Sequence, residues 1–381
     1  MADQPLTIFH VDGERGFRGG ERQLLYLAAA LRARGHTNVI CGRPNGDLDL
    51  EARRLGFEAL PLPFHFEFDP VSARQLARAA GGRVRPIVHA HTGHAAGIAL
   101  VSRWFGGPPT VAHRRVVFPL RTFSRLKYQR MDRLVAVSAA IAAVLERGGL
   151  APARISVIPD AIPTSPEEWR WVGVETPTIA PVDPTRRQRA REVLAASFGL
   201  DLTRQWIGTL AALSPDKDHQ TLISAVPIVH RRHPGALFLI AGRGAEEGNL
   251  RRLIEHLGVR DSVVLLGHRE DPGQLLAALD LFVLSSRGEG LGSVLLEAAA
   301  CAIPVVATTA GGIPEIVRHR QSGLLAPPED PPALAECLSE LLDDPALARR
   351  FATAAFAILP GFGLAGVGDR FDRLYRALLS S

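Results

Sequence analysis

The stretch from Leu281 to Ala300 constrains the fold most. Leu281-Phe282-Val283-Leu284 is a short apolar run that reads as a buried strand. Ser285-Ser286-Arg287-Gly288-Glu289-Gly290-Leu291-Gly292 follows as a glycine-rich turn, and the Ala/Leu-rich residues after it read as a helix starting near Gly292 or Ser293. A strand that ends in such a turn and opens a helix leaves backbone N–H groups unpaired at the helix start. Those groups and the positive end of the helix dipole suit phosphate oxygens, and glycine lets a ligand approach the backbone.

The same grammar opens the chain. Leu6 to Val11 reads as a strand, Gly19-Gly20-Glu21-Arg22 as a turn, and Leu24, Leu25, Leu27, Ala28 and Leu31 recur at helical spacing up to Gly35, before a strand at Val39 to Cys41. A strand–helix–strand opening predicts a parallel sheet in an α/β protein. The chain has 381 residues, room for two ordinary domains.

Glu289 lies on the central turn and Glu297 about one turn into the helix. A carboxylate beside phosphates repels them, so both are better suited to accept hydrogen bonds from sugar or ribose hydroxyls. The residues alone equally allow a solvated loop Glu and a helix-start Glu. The whole segment, Glu289-Gly290-Leu291-Gly292-Ser293-Val294-Leu295-Leu296-Glu297-Ala298 with Ala300-Cys301-Ala302-Ile303-Pro304-Val305-Val306-Ala307 after it, resembles the Glu-x7-Glu motif of retaining glycosyltransferases of family 4, which have the GT-B fold.

The resemblance covers nearly the whole chain. It implies two doubly wound, Rossmann-like α/β domains facing each other across a cleft that holds the active site. The expected division is an acceptor-binding domain at 1–163, a linker or insertion at 164–190, a nucleotide-sugar-binding domain at 191–355, and a C-terminal helix at 356–381 crossing back to the first domain. Residues 163–185, rich in Pro, Thr and Glu and without periodicity, read as the linker or insertion.

Gly19 and Gly20 resemble the family's first turn, where a glycine pair lets the donor diphosphate pass; a tight strand-to-helix turn needs them as well. Leu213-Ser214-Pro215-Asp216-Lys217-Asp218 resembles the segment whose Arg and Lys clamp the donor phosphates, with Ala212 where the family has Arg. Arginine is the usual cation here, since only Lys127 and Lys217 are lysines among 44 basic residues, and this singles Lys217 out. Gly242-Arg243-Gly244 resembles the family's Ala-Gly-x-Gly segment. It is no dinucleotide fingerprint, because Gly248 comes one residue late, which excludes the NAD-dependent dehydrogenase reading. Gly267 and His268 resemble the base-contacting turn. The donor side thus comprises Gly19, Gly20, Lys217, Gly242, Gly267, His268, Glu289, Gly290, Leu291, Gly292, Ser293 and Glu297, and His113, Glu289 and Lys217 are the catalytic candidates.

His89-Ala90-His91-Thr92-Gly93-His94 crowds histidines at a strand end. Zinc is disfavoured, since the spacing suits neither one helix face nor a finger and no Cys or carboxylate completes the set. The family carries a similar His-x-His facing the cleft, and a histidine in the place of His113 lies against the transferred sugar. His91, His94, Arg114 and Arg115 are the acceptor-side candidates. Asp47-Leu48-Asp49 spells a manganese motif of another transferase fold, but it sits in an early loop without further ligands. No metal and no cofactor beyond the donor are expected. Asp160 and Ala161 replace Asn and Gly at the end of the family's interdomain strand.

From Arg114 to Arg133 basic residues interleave with Leu120, Phe123, Leu126 and Tyr128, and Asp132 is the only acid. This reads either as a solvated helix face or as an amphipathic segment on anionic lipid. A net charge of +5 is compatible with anionic substrates or membrane and too weak to argue for nucleic acid. Cys41, Cys301 and Cys337 are scattered and read as reduced core thiols, which with an N-terminus lacking a leader implies a cytoplasmic protein, peripheral on the inner membrane face if the basic segment binds lipid.

The implied function is transfer of a sugar, with retention, from a UDP-, GDP- or ADP-sugar to a saccharide or lipid-linked acceptor hydroxyl in envelope polysaccharide, lipopolysaccharide or glycolipid synthesis. A nucleotide-sugar epimerase of the same fold and a sugar-nucleotide-binding regulatory subunit remain as alternatives; Ala212 favours the second.

Overall fold

The strands alternate with helices throughout, and every pairing among the described residues is parallel. The computed structural model describes residues 4–380. Met1-Ala2-Asp3, the start of the stretch read above for a leader, lies outside them. By internal contacts the chain forms two units, one running up to Glu175 and resuming at Gly361, the other spanning Thr176–Pro360.

The first unit holds β1 (Thr7–Val11), β2 (Thr37–Cys41), β3 (Glu58–Ala59), β4 (Pro86–Ala90), β5 (Thr110–Arg114), β6 (Arg133–Ala136) and β7 (Ile155–Val157), in the order β3-β2-β1-β4-β5-β6-β7. The second holds β8 (Gln205–Leu210), β9 (Ala236–Ala241), β10 (Val263–Gly267), β11 (Leu281–Leu284), β12 (Val305–Thr308) and β13 (Leu324–Ala326), in the order β10-β9-β8-β11-β12-β13. Strands buried on both faces read as continuous apolar runs, as Ala236–Ala241 and Leu281–Leu284 do. In each sheet the order reverses once, between β1 and β4 and between β8 and β11. Open parallel sheets bind ligands outside the carboxyl ends of strands at that crevice.

Several segments differ from the sequence reading. The stretch 163–185 is not without structure: Pro166–Trp171 is a helix capped by Ser165, with Trp169 and Glu168 buried. Glu168 accepts from Thr164 N at 2.6 Å and from Ala365 N at 2.7 Å, which fastens this helix within the first unit, while residues 176–185 belong to the second. At six residues it is too short to show a periodicity. The strand expected over 155–162 stops at Val157, and the turn after it forms without glycine: Gln23 holds Ala161 N and O, both at 2.8 Å. Asp47 to Asp49 begin a helix in which buried Asp49 pairs with Arg53 at 3.1 Å and accepts from Asn45 N, a structural task.

The C-terminal helix Leu364–Ser380 belongs to the first unit and starts before Asp369, through Gly366 and Gly368. Arg34 reaches Asp369 at 2.6 Å, His36 reaches Asp372 at 2.9 Å, and Phe371 and Tyr375 are fully buried. Cys41 and Cys301 are buried free thiols, and Cys337 is half-buried.

Candidate functional site

In the second unit the reversal point lies between β8 and β11, and the residues after those strands are laced together. Arg287 N and Gly288 N donate to Asp216 O at 2.9 and 3.2 Å, and Ser285 Oγ donates to Lys217 O at 3.2 Å. This lacing carries Lys217 Nζ to 2.6 Å from Glu289 Oε2 and 3.8 Å from Asp216 Oδ2, and Ser286 Oγ donates to the same Glu289 oxygen at 3.2 Å. Both side chains are mostly buried, 21% and 12% exposed, so water screens the pair less than a surface pair. Sequence reasoning named both residues but not that they touch.

Two glycines fix Glu289. Gly292 has φ +85, where a side chain would be strained. At Gly311 a Cβ would fall 1.8 Å from Glu289 O, while Gly312 N donates to that oxygen at 3.2 Å. The helix that follows, Val294–Ala300, begins one residue after Ser293; Gly290 and Leu291 are buried and Glu297 is half-buried in its first turn. At the ends of β9 and β10, Gly242 N donates to Gly267 O at 2.8 Å, and a Cβ on Gly242 would overlap Ala211 O at 1.9 Å. His268 is exposed beside them, and Ala212 is exposed with its carbonyl 3.2 Å from His219 Nε2.

In the first unit four imidazoles gather at the other reversal point. Parallel register sets His10 directly opposite His89, and His89 and His91 are two residues apart and so share a face. His113, near the end of β5, stacks on His89 with centroids 5.5 Å apart and planes 8° apart. His10 was missed at the sequence level, because only long-range register brings it to the others. All four are buried. Burial pushes His10 down to about 4, against the raising effect of its bond to Asn38. Burial, then neighbouring imidazoles and Arg115, holds His89, His91 and His113 well below the ordinary histidine range.

His10, His89 and His91 offer nitrogens within 4.8 Å of one another, close enough for one ion. His10 meets His91 at 3.1 Å and Asn38 at 2.9 Å, and His89 Nδ1 meets the Tyr375 hydroxyl at 2.7 Å, while His89 Nε2 is buried without a partner. Arg115 Nη1 lies 3.3 Å from His91 Nδ1, which disfavours a cation there. Both ring nitrogens of His113 are buried without a partner, and the ring lines a narrow cavity of ≈ 10 Å³ with Arg115, Asp160 and Phe371, room for about one water. Asp160 holds Arg115 Nε at 2.9 Å, which gives the acid at this position an ion-pairing role.

The other acceptor-side candidates separate. Arg114 is buried, its guanidinium on the Phe118 carbonyl and over Tyr128, so it braces the loop instead of facing a ligand. His94 sits one residue into the helix Gly93–Ser102. Gly19 and Gly20 open the helix Gly19–Arg32, with Arg18 N donating to Glu21 Oε2 at 2.7 Å.

The sequence model Glycosyltransferase Family 4 matches residues 17–166, and the model Glycosyl transferases group 1 matches residues 190–357. The chain is 39% identical over 182 residues to the GDP-mannose-dependent monoacylated alpha-(1-6)-phosphatidylinositol monomannoside mannosyltransferase of Corynebacterium glutamicum, covering 45% of this chain and 46% of that protein. It is 38% identical over 120 residues to the N-acetyl-alpha-D-glucosaminyl L-malate synthase of Bacillus anthracis, covering 32% of each. The chain spans about half the length, or less, of these curated relatives. Anabaena HepE in complex with UDP-glucose superposes with TM-score 0.83 at 21% identity over 97% of this chain and 99% of that one. Sucrose-phosphate synthase of Thermosynechococcus elongatus does so with TM-score 0.77 at 18% identity over 99% and 100%. Matched in each half by a glycosyltransferase model and over nearly its whole length by this two-sheet architecture, the chain belongs to the family-4 glycosyltransferases of GT-B fold.

Proposed function

We propose that the protein transfers a sugar from a nucleotide-sugar donor to an acceptor hydroxyl with retention at the anomeric carbon and without a divalent metal. The observation that carries this is the Lys217–Glu289 pair at the reversal point of the second sheet, 2.6 Å apart and mostly buried. A donor entering there brings its own negative charge for Lys217 and its hydroxyls for Glu289, so each partner's charge is reassigned rather than stranded. Lys217 and the backbone N–H groups around Gly292 and Ser293 stabilise the departing diphosphate. Glu297 is assigned to the ribose, and Gly242, Gly267 and His268 to the base. His113 is assigned to the transferred sugar.

Among these candidates no side chain is placed as a covalent nucleophile. The acceptor oxygen bonds to the anomeric carbon on the face from which the phosphate oxygen leaves, and the acceptor's proton passes to that phosphate oxygen. Relatives named for GDP-mannose and a neighbour solved with UDP-glucose make GDP- and UDP-sugars the first donors to try, and a glycolipid or saccharide the first acceptor class. The test is turnover of these donors by the wild-type chain and by Glu289→Gln, which keeps the Ser286 contact and the glycine frame. The substitution is expected to cut turnover on the order of 100-fold while the fold remains intact. A well-folded variant with near-normal turnover removes Glu289 from the reaction. A regulatory or partner subunit, the reading that Ala212 favours, binds nucleotide sugar yet turns it over only weakly; an epimerase releases epimer without an acceptor.

The protein is also proposed to rest on an anionic membrane. No described helix is long and apolar enough to cross one. Phe118, Phe123 and Leu126 are 59%, 83% and 43% exposed, beside exposed Arg121, Arg125 and Arg130. Lys127, by contrast, is buried on Glu67 and the Gly93 carbonyl and adds nothing to that face. Binding to anionic vesicles should fall steeply with salt, at about 1 kcal/mol per basic residue near the surface. Equal binding to neutral and anionic vesicles, or none to either, rules the surface out.

A further inference from the structure

A second cavity in the first unit, of ≈ 350 Å³, lies outside the ends of β1, β2 and β4 and is lined by Arg15, Arg18, Arg43 and His94, with Glu14 as the one acid. That is the size of a small-ligand site. We propose that this cavity binds a phosphate group carried by the acceptor, an inference that rests on the transferase reading above.

Arg43 carries most of the argument. It follows β2, and its guanidinium is fixed by Nε donating to Gly13 O at 2.6 Å and Nη1 to Pro63 O at 3.2 Å, with Phe64 beneath it at 5.5 Å. Gly13 has no side chain because a Cβ would lie 2.4 Å from the Phe64 ring, so ring, backbone and guanidinium form one packed unit. Two carbonyls use two of the five guanidinium N–H bonds and cancel none of the charge. Among the described residues no carboxylate pairs with Arg15, Arg18 or Arg43, whereas Arg34, Arg83 and Arg251 each have one. His94 Nε2, on the same cavity, is buried with no partner.

Three guanidiniums against one carboxylate leave the cavity with two surplus positive charges, which matches a phosphate monoester near neutral pH. Guanidinium forks also fit phosphate oxygens with paired N–H bonds. A carboxylate ligand would neutralise only half of that surplus. The donor's diphosphate is the competing occupant, since Arg18 adjoins the Gly19–Gly20 turn.

The experiment uses the full chain and Arg15→Gln/Arg18→Gln, whose residues are both exposed and have no carboxylate partner among the described residues, with Arg43→Gln as a second variant. The probes are sn-glycerol 3-phosphate in solution, vesicles of phosphatidic acid in phosphatidylcholine, and GDP and UDP. Expected is a rise in melting temperature of at least about 2 °C for the wild type with millimolar sn-glycerol 3-phosphate, or vesicle binding that both variants lose at least tenfold, with the nucleotide response unchanged. The soluble ester acting alone marks a free phosphate; vesicles acting alone mark a lipid headgroup. An equal response of wild type and variants, or none with either probe, overturns the proposal. Loss of the nucleotide response in the variants overturns it too, by giving the cavity to the donor. If no nucleotide sugar is turned over by the wild type while the phosphate response remains arginine-dependent, the transferase reading fails and the phosphate site stands.

Discussion

Lys217→Ala is expected to lose about 3 kcal/mol or more of transition-state stabilisation, a fall in kcat/KM on the order of 100-fold. A leaving nucleoside diphosphate carries two or more negative charges. Family 4 meets them with an Arg and a Lys, and here the Arg position is Ala212. Backbone N–H groups at a helix start supply roughly half a unit charge, and the helix Val294–Ala300 is short. Lys217 is therefore expected to carry an unusually large share. Its contact with Glu289 at 2.6 Å adds a consequence: Lys217→Ala leaves a mostly buried carboxylate uncompensated, so part of the loss belongs to Glu289. The double variant Lys217→Ala/Glu289→Gln should then cost clearly less than the two single losses added, because groups in contact are not additive. Lys217→Arg should recover only part, since a planar fork does not reproduce a compact point charge. Arg243 is the rival cation. It is exposed after β9, and its carbonyl accepts from Leu213 N at 3.0 Å. Turnover and nucleotide affinity measured for Lys217→Ala and Arg243→Ala together decide between them: a silent Lys217→Ala with a crippled Arg243→Ala would show that Arg243 holds the phosphates.

What was legible in the sequence was local. The run Leu281–Leu284, the glycines after it and the Ala/Leu helix all signal over a few residues, and the structure forms strand, turn and helix there. What was not legible depends on register and on chain returning from far away. Lys217 and Glu289 are 72 residues apart, and their contact follows from β8 and β11 being neighbours. His10 joins His89 only because β1 pairs with β4 in that register. Tyr375 reaches His89 across 286 residues. The basic run misled for a related reason: charge counts do not show that Arg114 and Lys127 turn inward, toward the Phe118 carbonyl and Glu67. The cavity around Arg15, Arg18 and Arg43 draws on three strand ends, so no single motif spells it.

The histidine group makes the first unit acid-sensitive, and the expected size is large. In the unfolded chain each imidazole takes up a proton as pH falls through about 6.5. In the fold His10 resists until about 4, and His89, His91 and His113 are likewise held well below their ordinary value, in each case chiefly by burial. Folded values lie below unfolded ones, so the stabilisation is complete above about 6.5 and is lost as pH falls below it. Asp12 works the other way. Burial pushes its carboxyl up to about 7, so the fold binds a proton there that the unfolded chain does not, and stability rises as pH falls from 7 toward the ordinary carboxyl range. The imidazoles outnumber the opposing carboxyl, so stability should fall as pH drops below about 6.5, by about 1.4 kcal/mol per pH unit for each proton that only the unfolded chain takes up. Urea titrations followed by tryptophan fluorescence at pH 7.5, 6.5 and 5.5 should show little change over the first interval and a steep fall over the second. His10→Gln removes one of the four and should make the fall shallower by about 1.4 kcal/mol per pH unit. A stability that is flat from pH 7.5 to 5.5, or a slope that His10→Gln leaves unchanged, would mean that these imidazoles are already protonated in the fold, and the buried group at the reversal point would then have to be charged.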